Sequence, residues 1–334
     1  MAGRVVLAFD KFRGSASAAE LTAAASAAAT AAGWQVTTVP LADGGEGSLE
    51  VLGGANKRTT VPGPLGEAVE AGWRLDGQDA YIEMAAASGL ALLGGPEQND
   101  PMLADTAGTG RLISTAIELG ARTVSVMLGG SATTDGGLGA IGTMPTPARM
   151  KEIDLVVGCD VETRFADAAQ VFGPQKGASP AQVKLLTRRL EQLQQQYREK
   201  YGVDVSELPG AGAAGGLAGG LVAMGGRLES GFEMLAERAL LDEHLAAADL
   251  VITGEGFLDD GSFQGKVVGG VHRWAGVAGV PAAAIVGQVD LDAVIPDTLM
   301  VRSLFDRYDE DRAYAETAAL VGEQVTDLLD RHRP

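Results

Sequence analysis

Cysteine is almost missing from this chain: Cys159 is the one thiol in 334 residues. That excludes an internal disulfide and any thiolate metal cluster, and it fits a reducing compartment, so a cytoplasmic protein is expected. Histidine is nearly as scarce, and His244, His272 and His332 all lie in helical contexts away from the motifs described below. Aromatic residues make up only 5% of the chain, so its core must be filled by small aliphatic side chains. No apolar run approaches the roughly 18 residues that a bilayer span needs, and the N-terminus passes directly into the strand-like Arg4-Val5-Val6-Leu7-Ala8-Phe9. No membrane partner is expected. Basic residues are outnumbered, 26 Lys and Arg against 44 Asp and Glu, for a net charge of -18. Without a basic cluster, such a chain does not attract a phosphate backbone, and nucleic acid is set aside as a partner. The same charge means that any anionic small molecule must be met by local basic groups and backbone N–H donors.

Glycine is abundant: 47 residues, about twice the ordinary usage of roughly 7%. The length exceeds the roughly 250 to 300 residues at which one core stops growing, which favours two domains. A strand at residues 4–9, an Ala-rich helix from Ser17 to Ala32 and a strand at Gln35 to Leu41 read as a βαβ unit. From Thr59 to Leu93 short strands separated by Pro and Gly give a mixed or antiparallel texture. Ser179-Pro180 opens a long helix with an apolar stripe at Val183, Leu186, Leu190, Leu193 and Tyr197. Helix–strand alternation returns at Ala248 to Thr253, Pro281 to Val286 and Leu299 to Leu304, and a helix from Asp311 to Arg331 closes the chain. The fold class expected is therefore α/β with two dissimilar lobes. One is a discontinuous Rossmann-like parallel-sheet domain (1–58 plus 235–334) and the other an inserted mixed-sheet domain (59–234), with the active site expected in the cleft between them.

Two glycine motifs fail on context. Gly210-Ala211-Gly212-Ala213-Ala214-Gly215 matches GxGxxG but follows a poor strand, and reads better as a close-packed helix start. Gly261 to Val267 resembles a P-loop but lacks one spacer residue and the hydroxyl after Lys266. Four other loops follow strands and combine glycine with acidic or hydroxyl residues: Asp10 to Ser15, Leu41 to Ser48, Gly129 to Gly137, and Gly254 to Lys266. Each alone could be a capped turn. Together, at strand ends, they suit phosphate binding by N–H groups beside carboxylates able to hold Mg²⁺, and so favour phosphoryl transfer.

These blocks, in this order, resemble the type I glycerate kinases. Ala8-Phe9-Asp10-Lys11-Phe12-Arg13-Gly14-Ser15 is similar to the family opening A-P-D-S-F-K-G-S, and Pro40 to Gly47 matches P-L-A-D-G-G-E-G. Further matches are Gly63 to Gly66, Glu83 to Leu90, Gly108 to Gly110, Gly129 to Thr133, Val171 to Gly177, Pro209 to Leu217 and Thr253 to Gly256. The chain departs from the family at Lys11 and Arg13, at Phe257 where the family has Arg, and at Glu162 to Phe165. The stretch Leu138 to Leu155 is also several dozen residues shorter than usual.

The resemblance implies two dissimilar α/β domains, ATP with Mg²⁺ as donor, and D-glycerate as acceptor, giving 2-phosphoglycerate. Alternatives are another small hydroxy acid as acceptor, or a ligand-binding paralogue without turnover. The catalytic residues expected are Asp10, Arg13, Asp135 and Lys266, with Asp10 or Asp135 accepting the hydroxyl proton. Substrate or phosphate contacts are expected from Ser15, Asp43, Gly44, Gly45, Glu46, Gly129, Gly130, Ser131, Thr133, Lys176, Glu255 and Asp259, and a metal contact from Asp160. A homodimer is compatible with this reading.

Overall fold

A computed structural model describes residues 2–332 apart from Glu46 and Gln264. The described strands are β1 (Arg4–Phe9), β2 (Gln35–Thr38), β3 (Lys57–Pro62), β4 (Ala68–Asp76), β5 (Asp79–Glu83), β6 (Thr123–Met127), β7 (Asp154–Gly158), β8 (Arg227–Glu229), β9 (Leu250–Leu258), β10 (Ala282–Val289) and β11 (Leu299–Ser303). They form a sheet ordered β11-β10-β9-β1-β2 and another ordered β3-β4-β5-β6-β7-β8. The chain divides into two compact units, residues 1–43 with 232–334, and residues 44–231.

In the first unit every strand pair is parallel. A parallel sheet covered on both faces needs strands that are apolar throughout, and β1 meets that demand, with Val5 to Phe9 all buried. Val5, Leu7 and Phe9 enter one core with Leu21, Ala25 and Ala29 of the helix Ala18–Ala31 and with the helix Thr317–Arg331. Val6 and Ala8 enter the opposite core with Phe232, Val268 and Val271. The helix Ala18–Ala31 starts where Ser17 caps it. The Ser17 hydroxyl accepts from Glu20 N (3.2 Å), and the Glu20 carboxylate accepts from Ser17 N (2.8 Å), a reciprocal cap worth about 1 kcal/mol.

The sequence reading ends the strand at Thr253 and starts a loop at Gly254, whereas β9 runs on to Leu258. The reason is its central place: Gly254 pairs with Phe9 on one side and Ile285 on the other, and Glu255 pairs with Val286. A Cβ on Gly254 would lie 2.1 Å from Ile285 O, so this glycine permits strand contact rather than a turn. The closing helix is likewise two, Glu310–Ala315 and Thr317–Arg331.

In the second unit β3, β4 and β5 pair antiparallel while β5 to β8 pair parallel. Trp73 of β4 is fully buried and donates from Nε1 to Thr59 Oγ1 at 2.9 Å, so its polar edge is satisfied. The helix Ala107–Glu118 lays Leu112, Ile113, Ala116 and Ile117 into the same core. The long helix Pro180–Tyr201 buries Leu186, Leu190, Leu193 and Tyr197 around Phe165. Residues 44–58 belong to this unit rather than to the first, because Glu83 of β5 accepts from Gly47 N (3.1 Å) and Leu49 N (2.8 Å).

The GxGxxG stretch is packing, as its context suggested. A Cβ on Gly212 would meet Arg164 O at 2.3 Å, and one on Gly215, at φ +67°, would meet Thr133 O at 2.0 Å. Replacing Gly215 by Ala combines a left-handed backbone with a main-chain clash. It is expected to cost more than about 2 kcal/mol, read as a lower midpoint in urea unfolding. Among the described residues no helix is long and apolar enough to cross a membrane.

Candidate active site

Ligands of open parallel sheets bind beyond the carboxyl ends of the strands. In the first unit the C-terminal ends of β9 and β10, with the segments following β1, β2, β9 and β11, enclose a pocket of about 340 Å³ there. Asp10, Lys11, Arg13, Ser15, Asp43, Glu255, Asp259 and Lys266 line it, so eight residues expected from separate sequence blocks, or lying beside them, share one cavity.

Local structure holds them. Asp10 N donates to Gly254 O (3.0 Å), which ties the residue to the end of β9, and Asp10 Oδ1 accepts from Lys11 N (2.7 Å). Phe12, 2% exposed, anchors a turn through Gly14 at φ +84°. The Ser15 hydroxyl donates back to Phe12 O at 3.3 Å. Asp259 Oδ1 accepts from Ser262 N (2.9 Å) and faces Lys266 Nζ at 3.6 Å. With both partners about 38% exposed, that ion pair adds little stability.

Electrostatics single out two carboxyls. Burial pushes Asp10 up to about 6; the nearby Asp43 carboxylate adds to this, while the Lys11 N–H and the charges of Lys11 and Arg13 oppose it. Burial pushes Glu255 up to about 7, with Asp10 and Asp259 adding and the Ser262 hydroxyl and Lys266 opposing. Glu255 Oε1 is buried and has no hydrogen-bond partner among the described residues. A carboxyl that titrates near neutrality can take a proton from a substrate hydroxyl. Among the described residues, no group of three or more His, Cys, Asp and Glu side chains could hold a metal ion. Mg²⁺ demands less, since one or two carboxylates and the substrate's own phosphates suffice, and Glu255, with its unpartnered Oε1, fits that role.

The second unit holds the remaining expected residues, and several face inward. Asp135 is 1% exposed: its Oδ2 accepts from Thr106 N (3.1 Å), Thr106 Oγ1 (2.8 Å) and Gly139 N (3.0 Å), and its Oδ1 from Gly137 N (3.1 Å). It therefore anchors the loop after β6, and is not exposed to accept a substrate proton as the sequence reading allowed. Lys176 is buried beneath that loop, donating to Ser131 Oγ and Thr133 O, both at 2.7 Å. Burial brings its ammonium down to about 7, with Asp135 opposing. A phosphate contact by Lys176 is thus replaced by contact with the loop itself. Ser131 and Thr133 are buried too, which leaves the backbone of Gly129 and Gly130 as the outer part of the loop.

Asp160 serves its own chain, with Oδ1 accepting from Ser230 Oγ (2.8 Å) and Gly231 N (3.0 Å). Gly44, at φ +80°, has no room for a side chain, because a Cβ would lie 2.4 Å from Gly231 Cα. Gly45 O accepts from Ser48 Oγ at 2.7 Å, and Glu46 lies outside the described residues. Two framework residues escaped the sequence reading. Glu83 binds the N–H groups of Gly47 and Leu49, and Asn99 Nδ2 donates to Ala132 O (3.0 Å) and Lys176 O (2.8 Å). Glu83 had a visible signal, a carboxylate at the end of a strand; Asn99, in a polar loop, had none.

Comparisons with known proteins identify the family. The model of the glycerate kinase family matches residues 5–146 and 141–331. A glycerate 2-kinase of Escherichia coli K12 is 37% identical over 334 residues, 86% of each chain. An uncharacterised protein of Mycobacterium bovis is 41% identical over 309 residues, 86% of this chain and 80% of its own. A solved structure from Salmonella typhimurium LT2, described as a candidate glycerate kinase 2, superposes with a TM-score of 0.81 at 32% identity and covers 100% of both chains. With the family model matching both segments and a solved structure superposing over the whole length, this chain belongs to the glycerate kinase family.

Proposed function

We propose that the protein transfers the γ-phosphoryl group of ATP to D-glycerate, producing 2-phosphoglycerate and ADP by in-line attack. The observation that carries this reading is the pair of carboxyls, half-buried Asp10 and buried Glu255, raised toward neutrality in one pocket with Arg13, Lys11 and Lys266. Phosphoryl transfer asks little covalent chemistry of a protein, so positioning and charge neutralisation dominate. Asp10 accepts the proton of the attacking hydroxyl as its oxygen bonds to phosphorus and the bond to ADP breaks. Glu255, with its unpartnered oxygen, is the residue suited to the cation that accompanies the nucleotide. Bound Mg²⁺ would neutralise charge on the phosphate oxygens. Arg13 and Lys266 meet the glycerate carboxylate or the phosphates. A reaction that draws on ATP is consistent with a cytoplasmic enzyme.

The test is ADP release from ATP and Mg²⁺ with D-glycerate, followed by phosphorus NMR of the product. Glycerate-dependent ADP release with a 2-phosphoglycerate resonance is expected. Release with a different hydroxy acid in place of glycerate would reassign the acceptor, and ligand binding without release would remove the activity.

A further inference from the structure

The pocket of the first unit has two kinds of wall, and only one is explained by charge. Besides the carboxylates, the lining includes Phe257 from the end of β9, Leu304 and Phe305 beyond β11, and Tyr314 of the helix Glu310–Ala315. Phe305 and Tyr314 pack edge to face with ring centroids 5.4 Å apart at 67°. The chain has only eight Phe, five Tyr and three Trp. Among the described residues Phe257 (45% exposed) and Tyr314 (53%) are the aromatic side chains left largely exposed, and both line this cavity. Scattered exposed apolar residues need no explanation, but two exposed rings lining one pocket suit a binding surface.

Resting on the donor assignment made above, we infer that Phe257 and Tyr314, backed by Phe305, form the platform on which the purine ring of the nucleotide stacks. Glycerate cannot be the occupant of this wall, since a small hydroxy acid has no apolar face to cover a ring. A nucleotide has both chemistries in one molecule, a flat π-system at one end and phosphates with their cation at the other. The pocket offers both aromatic and ionisable lining residues. Its volume of about 340 Å³ also falls in the range of small-molecule sites, roughly 300 to 1,000 Å³. Stacking on aromatic side chains contributes about 1 to 3 kcal/mol per base, so removing one ring should weaken nucleotide binding by about tenfold.

Calorimetric titration of the full-length protein with ATP and, separately, with inorganic tripolyphosphate, both with Mg²⁺, tests this. Wild type should bind ATP more tightly than tripolyphosphate. Phe257→Ala and Tyr314→Ala should each weaken ATP by about tenfold, leave tripolyphosphate affinity and the melting temperature unchanged, and raise the KM for ATP but not for glycerate. Tyr314→Phe should keep the wild-type affinity for ATP, because the ring and not the hydroxyl does the stacking. Unchanged ATP affinity in both alanine variants, or equal weakening of both ligands, overturns the platform while leaving the donor assignment standing. A wild-type protein that does not bind ATP overturns the donor assignment and the platform together.

Discussion

Replacing Asp10 by Asn is expected to lower glycerate-dependent turnover by about 10²- to 10⁴-fold, the range associated with losing a general base. The same change should make the protein more stable above pH 7. Both effects come from one cause, a carboxyl held in a buried site beside Asp43 and pushed up to about 6. For catalysis Asp10 must be ionised, so wild-type kcat/KM should rise as pH increases through about 6 and flatten above it. For stability the sign is opposite. A carboxyl whose native pKa is raised binds its proton more tightly when folded, so its contribution is present at low pH and is lost as pH rises through about 6. Glu255, pushed up to about 7, acts in the same direction over a slightly higher window. An amide at position 10 removes the buried charge and its repulsion of Asp43. A gain of about 1 to 3 kcal/mol at pH 8 follows from the size of the shift, measured as a higher melting temperature. A variant that is inactive and also less stable at pH 8 would count against this account of Asp10.

The second large effect concerns stability more than rate. Asp135→Asn should destabilise the unit of residues 44–231 by about 3 kcal/mol or more. The carboxylate accepts four hydrogen bonds, from Thr106 N, Thr106 Oγ1, Gly137 N and Gly139 N. An amide has only one accepting atom, so its NH₂ must face at least one of these donors. The buried Lys176 ammonium also loses the negative charge that favours its protonated form. Any drop in turnover should therefore track unfolding, visible as a melting temperature lowered by several degrees. If Asp135→Asn melts as wild type yet loses turnover, Asp135 contacts the substrate and the anchoring role fails.

What was legible in the chain followed physical periodicity. The continuous apolar run Val5 to Phe9 announced a doubly covered parallel strand, and the Ser17 and Ser179 caps announced helix starts. The stripe Leu186, Leu190, Leu193 and Tyr197 announced the buried face of the long helix. The segments carrying Asp10, Asp43, Glu255, Asp259 and Lys266 were also legible, because several stretches combining glycine with an acid recur at strand ends. Gly254 and Gly256 misled, since local propensity reads them as a turn, while pairing with Phe9 and Ile285 keeps β9 extended.

The amino-acid sequence alone determined the family, the α/β class and the presence of acidic, glycine-rich loops at strand ends, because each of these is written in short, contiguous stretches. Only the tertiary structure decided which charged residues face a ligand and which hold the frame. Asp135 and Lys176 look like site residues in the sequence, yet Thr106, 29 residues before Asp135, and Ser131, 45 before Lys176, turn them inward. Phe257, Phe305 and Tyr314 carry no motif, yet they meet in one pocket. Burial and hydrogen-bond saturation depend on partners brought together from distant parts of the chain, and no local pattern encodes them.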